Sequence, residues 1–186
     1  MRKALDALYG AALFGACAAM VAIASLVLVQ VLGRLADRIG SFLGLGRFGF
    51  AVPSLAEIGG FLFVAAAFLA LPATFRAAVH VRVTLLVGWA GPRTDRFLTA
   101  LALVVALGLT AYASWTVGGQ ALASFERGSV SFGLIAISLW IPQVVMTAGL
   151  VILAIAILDD LVAVLTGGEA QFRQVERSRA VGEGGH

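Results

Sequence analysis

Few residues of this chain could do chemistry, and their spacing argues against catalysis. His80 lies between Arg76 and Arg82, and a histidine could serve as a general base. That work needs an acid or nucleophile within hydrogen-bond reach, and the local sequence offers only Thr84. A contact with a lipid headgroup or a partner suits His80 better. A single cysteine, Cys17, excludes an internal disulfide, a CxxC redox pair and a thiolate metal site. With only His80 and His186, a bis-histidine haem site inside the apolar regions is excluded as well. We expect no catalytic residue, no metal and no cofactor.

What remains are polar residues placed to touch something. Glu57 opens an apolar block, where a carboxylate meets the positive end of a helix dipole. Its sharper role is an ion pair with Arg34 or with a partner's arginine. Arg76 and Arg82 suit lipid phosphates or a subunit interface. Gln30 could hydrogen-bond between helices at about 0.6 kcal/mol. Trp140 suits a membrane interface or a neighbouring helix, and Pro142 close by suggests a kink near Ser138–Pro142. Glu126 and Arg127 either form a solvated loop pair or steer a soluble partner into place. Ser129 and Ser131 could cap the following helix.

The elements carrying these residues follow from where charge is missing. Ala11–Leu32, Ile58–Phe75, Phe97–Phe125 and Gly128–Leu158 contain no Asp, Glu, Lys, Arg or His. Each is about the length needed to cross a hydrocarbon core roughly 30 Å thick. With 61% hydrophobic residues and a mean hydropathy of +1.01, the chain is unlike a soluble domain. The expected fold is all-α and integral to a membrane, with four transmembrane helices near residues 9–32, 55–76, 96–120 and 132–160. They form one domain over residues 1–165, followed by a partly disordered cytoplasmic tail over 166–186. The pI near 9.8 would suggest nucleic acid in a soluble protein, but here the arginines flank spans, where they orient the chain and touch anionic lipid. Arg2 and Lys3 before an apolar run imitate a signal peptide, yet the run exceeds an h-region, so an uncleaved first span is expected. With both termini in the cytoplasm, nine Lys and Arg lie inside and four outside. That distribution favours cytoplasmic termini.

Two joints look like more than turns. Gly33–Pro53 mixes aromatics, arginines and helix-breaking glycines, as a segment lying in the headgroup layer would. Arg76–Pro92 alternates over Val79–Leu85, but no second alternating run exists to pair with it. A surface-lying turn or short helix is expected there, and another short helix around Glu169–Arg179. Ala11, Gly15 and Ala19 recur every four residues, a small-residue face for close helix packing.

The ordered motifs resemble a known family. Gln30-Val31-x-x-Arg34 leaves the first span, and Pro53 followed by Glu57 opens the second. Arg76-x-x-x-His80-Val81-Arg82-Val83 leaves the second span, and Trp140-Ile141-Pro142 lies in the fourth ahead of Gly149. Together they resemble the small membrane subunit of tripartite ATP-independent periplasmic (TRAP) transporters, the DctQ type, over Leu8 to Leu165. Val79 stands where that family often has Gly, Thr84 where it often has an acid, and Leu55-Ala56 where an aromatic often precedes the glutamate.

The resemblance implies a three-part uptake system in the bacterial inner membrane. A periplasmic binding protein delivers an organic acid, a large permease subunit carries it with sodium, and the small subunit braces the permease as a non-catalytic scaffold. The residues agree from below. A carrier of anions wants cationic groups or broken helices near the midplane, and the spans offer no cation. Two other readings compete: a four-span redox or enzyme subunit, which lacks cofactor ligands, and a small self-associating channel, which lacks a polar stripe.

Overall fold

The computed structural model describes residues 2–44, 49, 53–77 and 91–166. Among the described residues four helices form: α1 (Arg2–Phe42), α2 (Leu55–Arg76), α3 (Gly91–Glu126) and α4 (Trp140–Leu165). All four are long and apolar enough to cross a membrane. Among the described residues no strand forms, and the single antiparallel bridge joins Val130 to Ser138. The expected all-helical, four-span architecture is what the chain adopts.

The helices lie in a row. α1 packs on α2, α2 on α4, and α4 on α3, while α1 only grazes α4. α4 is the most enclosed, with Gly149, Leu150, Ala156, Ile157, Asp160, Leu161 and Val164 buried along it. Ile157, Leu161 and Val164 form a cluster with Leu103 of α3, and Phe75 at the end of α2 packs against it. Lipid tails are as apolar as these side chains, so close packing rather than the hydrophobic effect must hold the spans together.

Small residues and glycines provide that packing. In the first half of α1 Tyr9, Ala12, Ala16 and Ala19 are buried, spaced three and four apart on the face toward α2. The expected face of Ala11, Gly15 and Ala19 is therefore rotated: Ala11 is exposed, while Gly15 meets Leu69. Helical period 3.6 makes two such faces nearly adjacent, and only the position of α2 decides between them.

Two boundaries differ from the sequence expectation. α1 does not break at Gly33 but runs on to Phe42, through Gly40. A glycine inside a helix costs only about 1 kcal/mol, which a long helix absorbs. At the other boundary, Gly128–Leu139 is not part of the fourth span. Its helix begins at Trp140, so Pro142 sits in the first turn, where its missing N–H has no helical acceptor to lose. Pro142 thus starts α4 and does not kink it. The internal proline is Pro72, fully buried within α2. The second joint beyond Ala77 and the tail beyond Thr166 lie outside the described residues.

Candidate functional site

α3 ends in a Schellman motif, with Gly128 at φ 61° in the left-handed region that favours glycine. The Gly128 N–H donates to Phe125 O (3.1 Å) and the Ser129 N–H to Ser124 O (3.0 Å). The chain then forms a hairpin. The Ser131 N–H donates to Ile137 O (2.8 Å), and the Leu139 N–H to Ser129 O (3.0 Å). The Ile137 N–H donates to Ser131 Oγ (3.1 Å), whose hydroxyl donates to Ile135 O (3.3 Å). Ser129 and Ser131 therefore serve the hairpin and not the cap of α4.

The hairpin is latched onto the start of α2. The Ile135 N–H donates to Ser54 Oγ (3.0 Å), while the Ser54 carbonyl accepts the N–H groups of Glu57 and Ile58 (3.0 Å each). Glu57 lies in the first turn of α2, with its carboxylate against Gly133 so closely that a Cβ there would overlap it. Glu57 Oε2 is buried and accepts no hydrogen bond among the described residues. Among the described residues Glu57 makes no ion pair with Arg34, the in-chain one of its two expected partners, while Arg76 pairs with Asp6. α1 runs straight on past Gly33, and that continuation carries Arg34 along an open cleft with Asp37, Arg38, Ser41 and Phe42. Gln30, one turn earlier, is buried. Trp140 meets Phe125 edge-on at 5.6 Å between ring centres, joining α4 to α3. Pro142 is buried nearby, and Glu126 and Arg127 are exposed at the base of the hairpin.

The opposite end holds the charged ties. Arg76, the last residue of α2, donates to Asp6 Oδ1 of α1 at 2.8 Å. Its guanidinium also stacks 4.6 Å from the centre of the Tyr9 ring. Asp159 and Asp160 of α4 lie close enough for their charges to act on Tyr9, and Asp160 is only 2% exposed. Arg96 of α3 reaches the end of α4, where its guanidinium donates to Val164 O (2.9 and 2.6 Å) and Leu165 O (3.1 Å). A fixed cation there satisfies carbonyls that the helix leaves without donors and meets the negative end of its dipole. His80 and Arg82 lie outside the described residues.

Between the two ends the helices touch backbone to side chain. Gly149 of α4 faces the Phe68 carbonyl of α2, and Gly118 of α3 faces Thr147 of α4. Polar ties at both rims with tight glycine contacts between them are what a rigid membrane element requires. Ser54, Gly133, Asp6, Tyr9 and Arg96 were not singled out from sequence. Each acts through a partner 67 to 81 residues away, which spacing alone does not reveal.

These features define a multi-pass, all-helical membrane protein whose described charged residues gather at the two ends of its spans. The family model of the tripartite ATP-independent periplasmic transporters, DctQ component, matches residues 39–167, well over half of the chain. The chain belongs to that family, and is thus a small membrane component of a TRAP transporter. No curated protein and no solved structure matches it.

Proposed function

We propose that the chain is a non-catalytic brace for the large permease subunit of a TRAP system, which takes up an organic acid together with sodium. In this reading a periplasmic binding protein delivers the substrate, and neither substrate nor sodium binds within this chain. Both termini and the Arg76 end lie in the cytoplasm of a bacterium, and the Glu57 end with its hairpin faces the periplasm across the inner membrane. Arg76, His80 and Arg82 meet lipid phosphate or the permease on the inner side. Gln30, Arg34, Glu57, Trp140 and Pro142 shape the outer rim, where exposed Glu126 and Arg127 steer the binding protein.

The observation that carries the reading is the division between rims and spans. The four charge-free blocks hold no side chain that could carry an anion or a cation through the bilayer, while the ties to neighbouring helices sit at both ends. The row of helices also leaves most of its apolar surface uncovered: between 6 and 39% of each span's most apolar window is buried inside the chain. That surface suits a larger membrane partner. The test is affinity purification of the tagged chain from membranes that also express the cognate large subunit. Recovery of the large subunit in fixed ratio supports the proposal; recovery of the chain alone in a mild detergent contradicts it.

A further inference from the structure

α1 outlasts the hydrocarbon it crosses. Its charge-free stretch, Ala11–Leu32, fills a core about 30 Å thick at about 1.5 Å per residue, and the helix then continues to Phe42. Arg34 therefore stands at the headgroup layer, and Arg38 follows one turn, about 6 Å, farther along the axis. Both are exposed, and among the described residues neither makes a hydrogen bond or an ion pair. Arg76 and Arg96, by contrast, are held by neighbouring helices. Arg34, Arg38 and Ser41 share one helical face, and with Asp37 and Phe42 they line an open cleft of about 490 Å³. The chain comes back beside it: the Gly49 N–H donates to Asp37 Oδ1 at 3.0 Å.

Charge and shape together select the ligand. Two guanidinium groups and the Asp37 carboxylate leave the described lining of the cleft with one net positive charge, which matches the single negative charge of a phosphodiester. Asp37 is already engaged by Gly49, so an anion meets the arginines. Their planar forks grip phosphate oxygens two at a time, and stems one turn apart on one face can reach the same group. Beside the cations runs an apolar stripe. Leu28, Leu32, Leu35, Ile39 and Phe42 follow one another at intervals of four, three, four and three residues, and all five are exposed. The stripe starts inside the span and ends at the cleft, which Phe42 also lines. A free phosphate ion has no use for such a stripe. A phospholipid presents its acyl chains and its phosphate in that same order along the membrane normal.

We propose that the cleft at the C-terminal end of α1 is a seat for an anionic phospholipid, in which Arg34 and Arg38 hold the phosphodiester and the stripe from Leu28 to Phe42 receives an acyl chain. The seat needs no second subunit, so the purified full chain tests it and the brace does not stand or fall with it. The chain is solubilised from vesicles of equal phosphatidylglycerol and phosphatidylcholine, immobilised and washed in mild detergent, and the retained lipids are extracted and quantified. Phosphatidylglycerol should be retained several-fold over phosphatidylcholine, whose choline cancels the phosphate charge. Arg34→Gln/Arg38→Gln alters only exposed side chains, so it should stay monodisperse and lose the preference. Arg127→Gln removes an equally exposed arginine outside the cleft and should keep it. No preference in the unaltered chain, the same preference in the double variant, or an equal loss in Arg127→Gln overturns the assignment. Washes in sodium phosphate and in sodium chloride of equal ionic strength separate the sources of phosphate. Phosphatidylglycerol should survive both. Its loss in phosphate alone marks a site for the free ion, its loss in both marks diffuse surface charge, and either result overturns the lipid seat.

Discussion

Gly149 of α4 rests on the carbonyl of Phe68 in α2, so closely that a Cβ at 149 would stand 2.5 Å from the oxygen and 2.7 Å from the carbon. The contact has a second half inside α2. Pro72, four residues beyond Phe68, has no N–H to return to that carbonyl. The two central helices therefore meet where one lacks a side chain and the other lacks a helical donor. A Cα–H against such a carbonyl is a weak hydrogen bond that suits helix–helix contacts.

Gly149→Ala must push backbone against backbone, and neither helix can yield cheaply. We expect a loss of about 1–3 kcal/mol, the usual cost of overpacking. It should be read as an earlier midpoint for heat-induced loss of monodisperse protein in detergent. Gly10→Ala is the control. Nothing lies within 4 Å of a Cβ at Gly10, and the change should be neutral or stabilising by up to about 1 kcal/mol.

Arg96 should behave as a clamp on α4. Arg96→Gln removes the charge and most of the fork that holds the Val164 and Leu165 carbonyls. Because the site is partly exposed, a loss of about 1–2 kcal/mol is expected, with Arg96→Lys falling between the two. Hydrogen exchange supplies the local readout: amides in the last turn of α4 should exchange faster in Arg96→Gln, while those near Trp140 keep their protection.

The hairpin latch predicts a graded series. Ser54→Ala removes the acceptor of the Ile135 N–H and should cost about 1 kcal/mol. Gly133→Ala drives a methyl into the Glu57 carboxylate and should release the hairpin more fully. Limited proteolysis within residues 128–139 should quicken in the order wild type, Ser54→Ala, Gly133→Ala. Equal rates for all three chains contradict the latch.

The Arg76–Asp6 pair should matter less than its geometry suggests. The two side chains are 24% and 59% exposed, so Asp6→Asn should cost under about 1 kcal/mol and less still at high salt. Arg76→Gln should cost more, because it also removes the cation from the face of the buried Tyr9 ring. A double-mutant cycle in low and high salt separates the two contributions.

These contacts show where sequence reasoning reached and where it stopped. The number of helices was legible because charge is excluded from hydrocarbon, and the charge-free blocks mark each crossing. The start of α4 was not, because Val130–Leu139 is as apolar as the helix it precedes. Only the turn at Gly128 and the hydroxyls of Ser129, Ser131 and Ser54 mark it as a hairpin, and the last of these is far away in sequence. Pro142 was visible but misjudged, since a proline reads alike in a first turn and in an interior. Glu57 lies in the first turn of α2, where its place ahead of an apolar block suggests, whereas its closeness to Gly133 is not visible in spacing. Direction along a helix can be read from sequence, whereas rotation about it depends on neighbours that spacing does not name.

In the proposed role this chain supports transport without performing it. Sodium-driven uptake into proteoliposomes, with the substrate-loaded binding protein outside, decides between support and transport. Vesicles holding only this chain should take up nothing, and vesicles holding the chain together with the large subunit should accumulate substrate when a sodium gradient is imposed. Gradient-driven uptake by this chain alone would contradict the account.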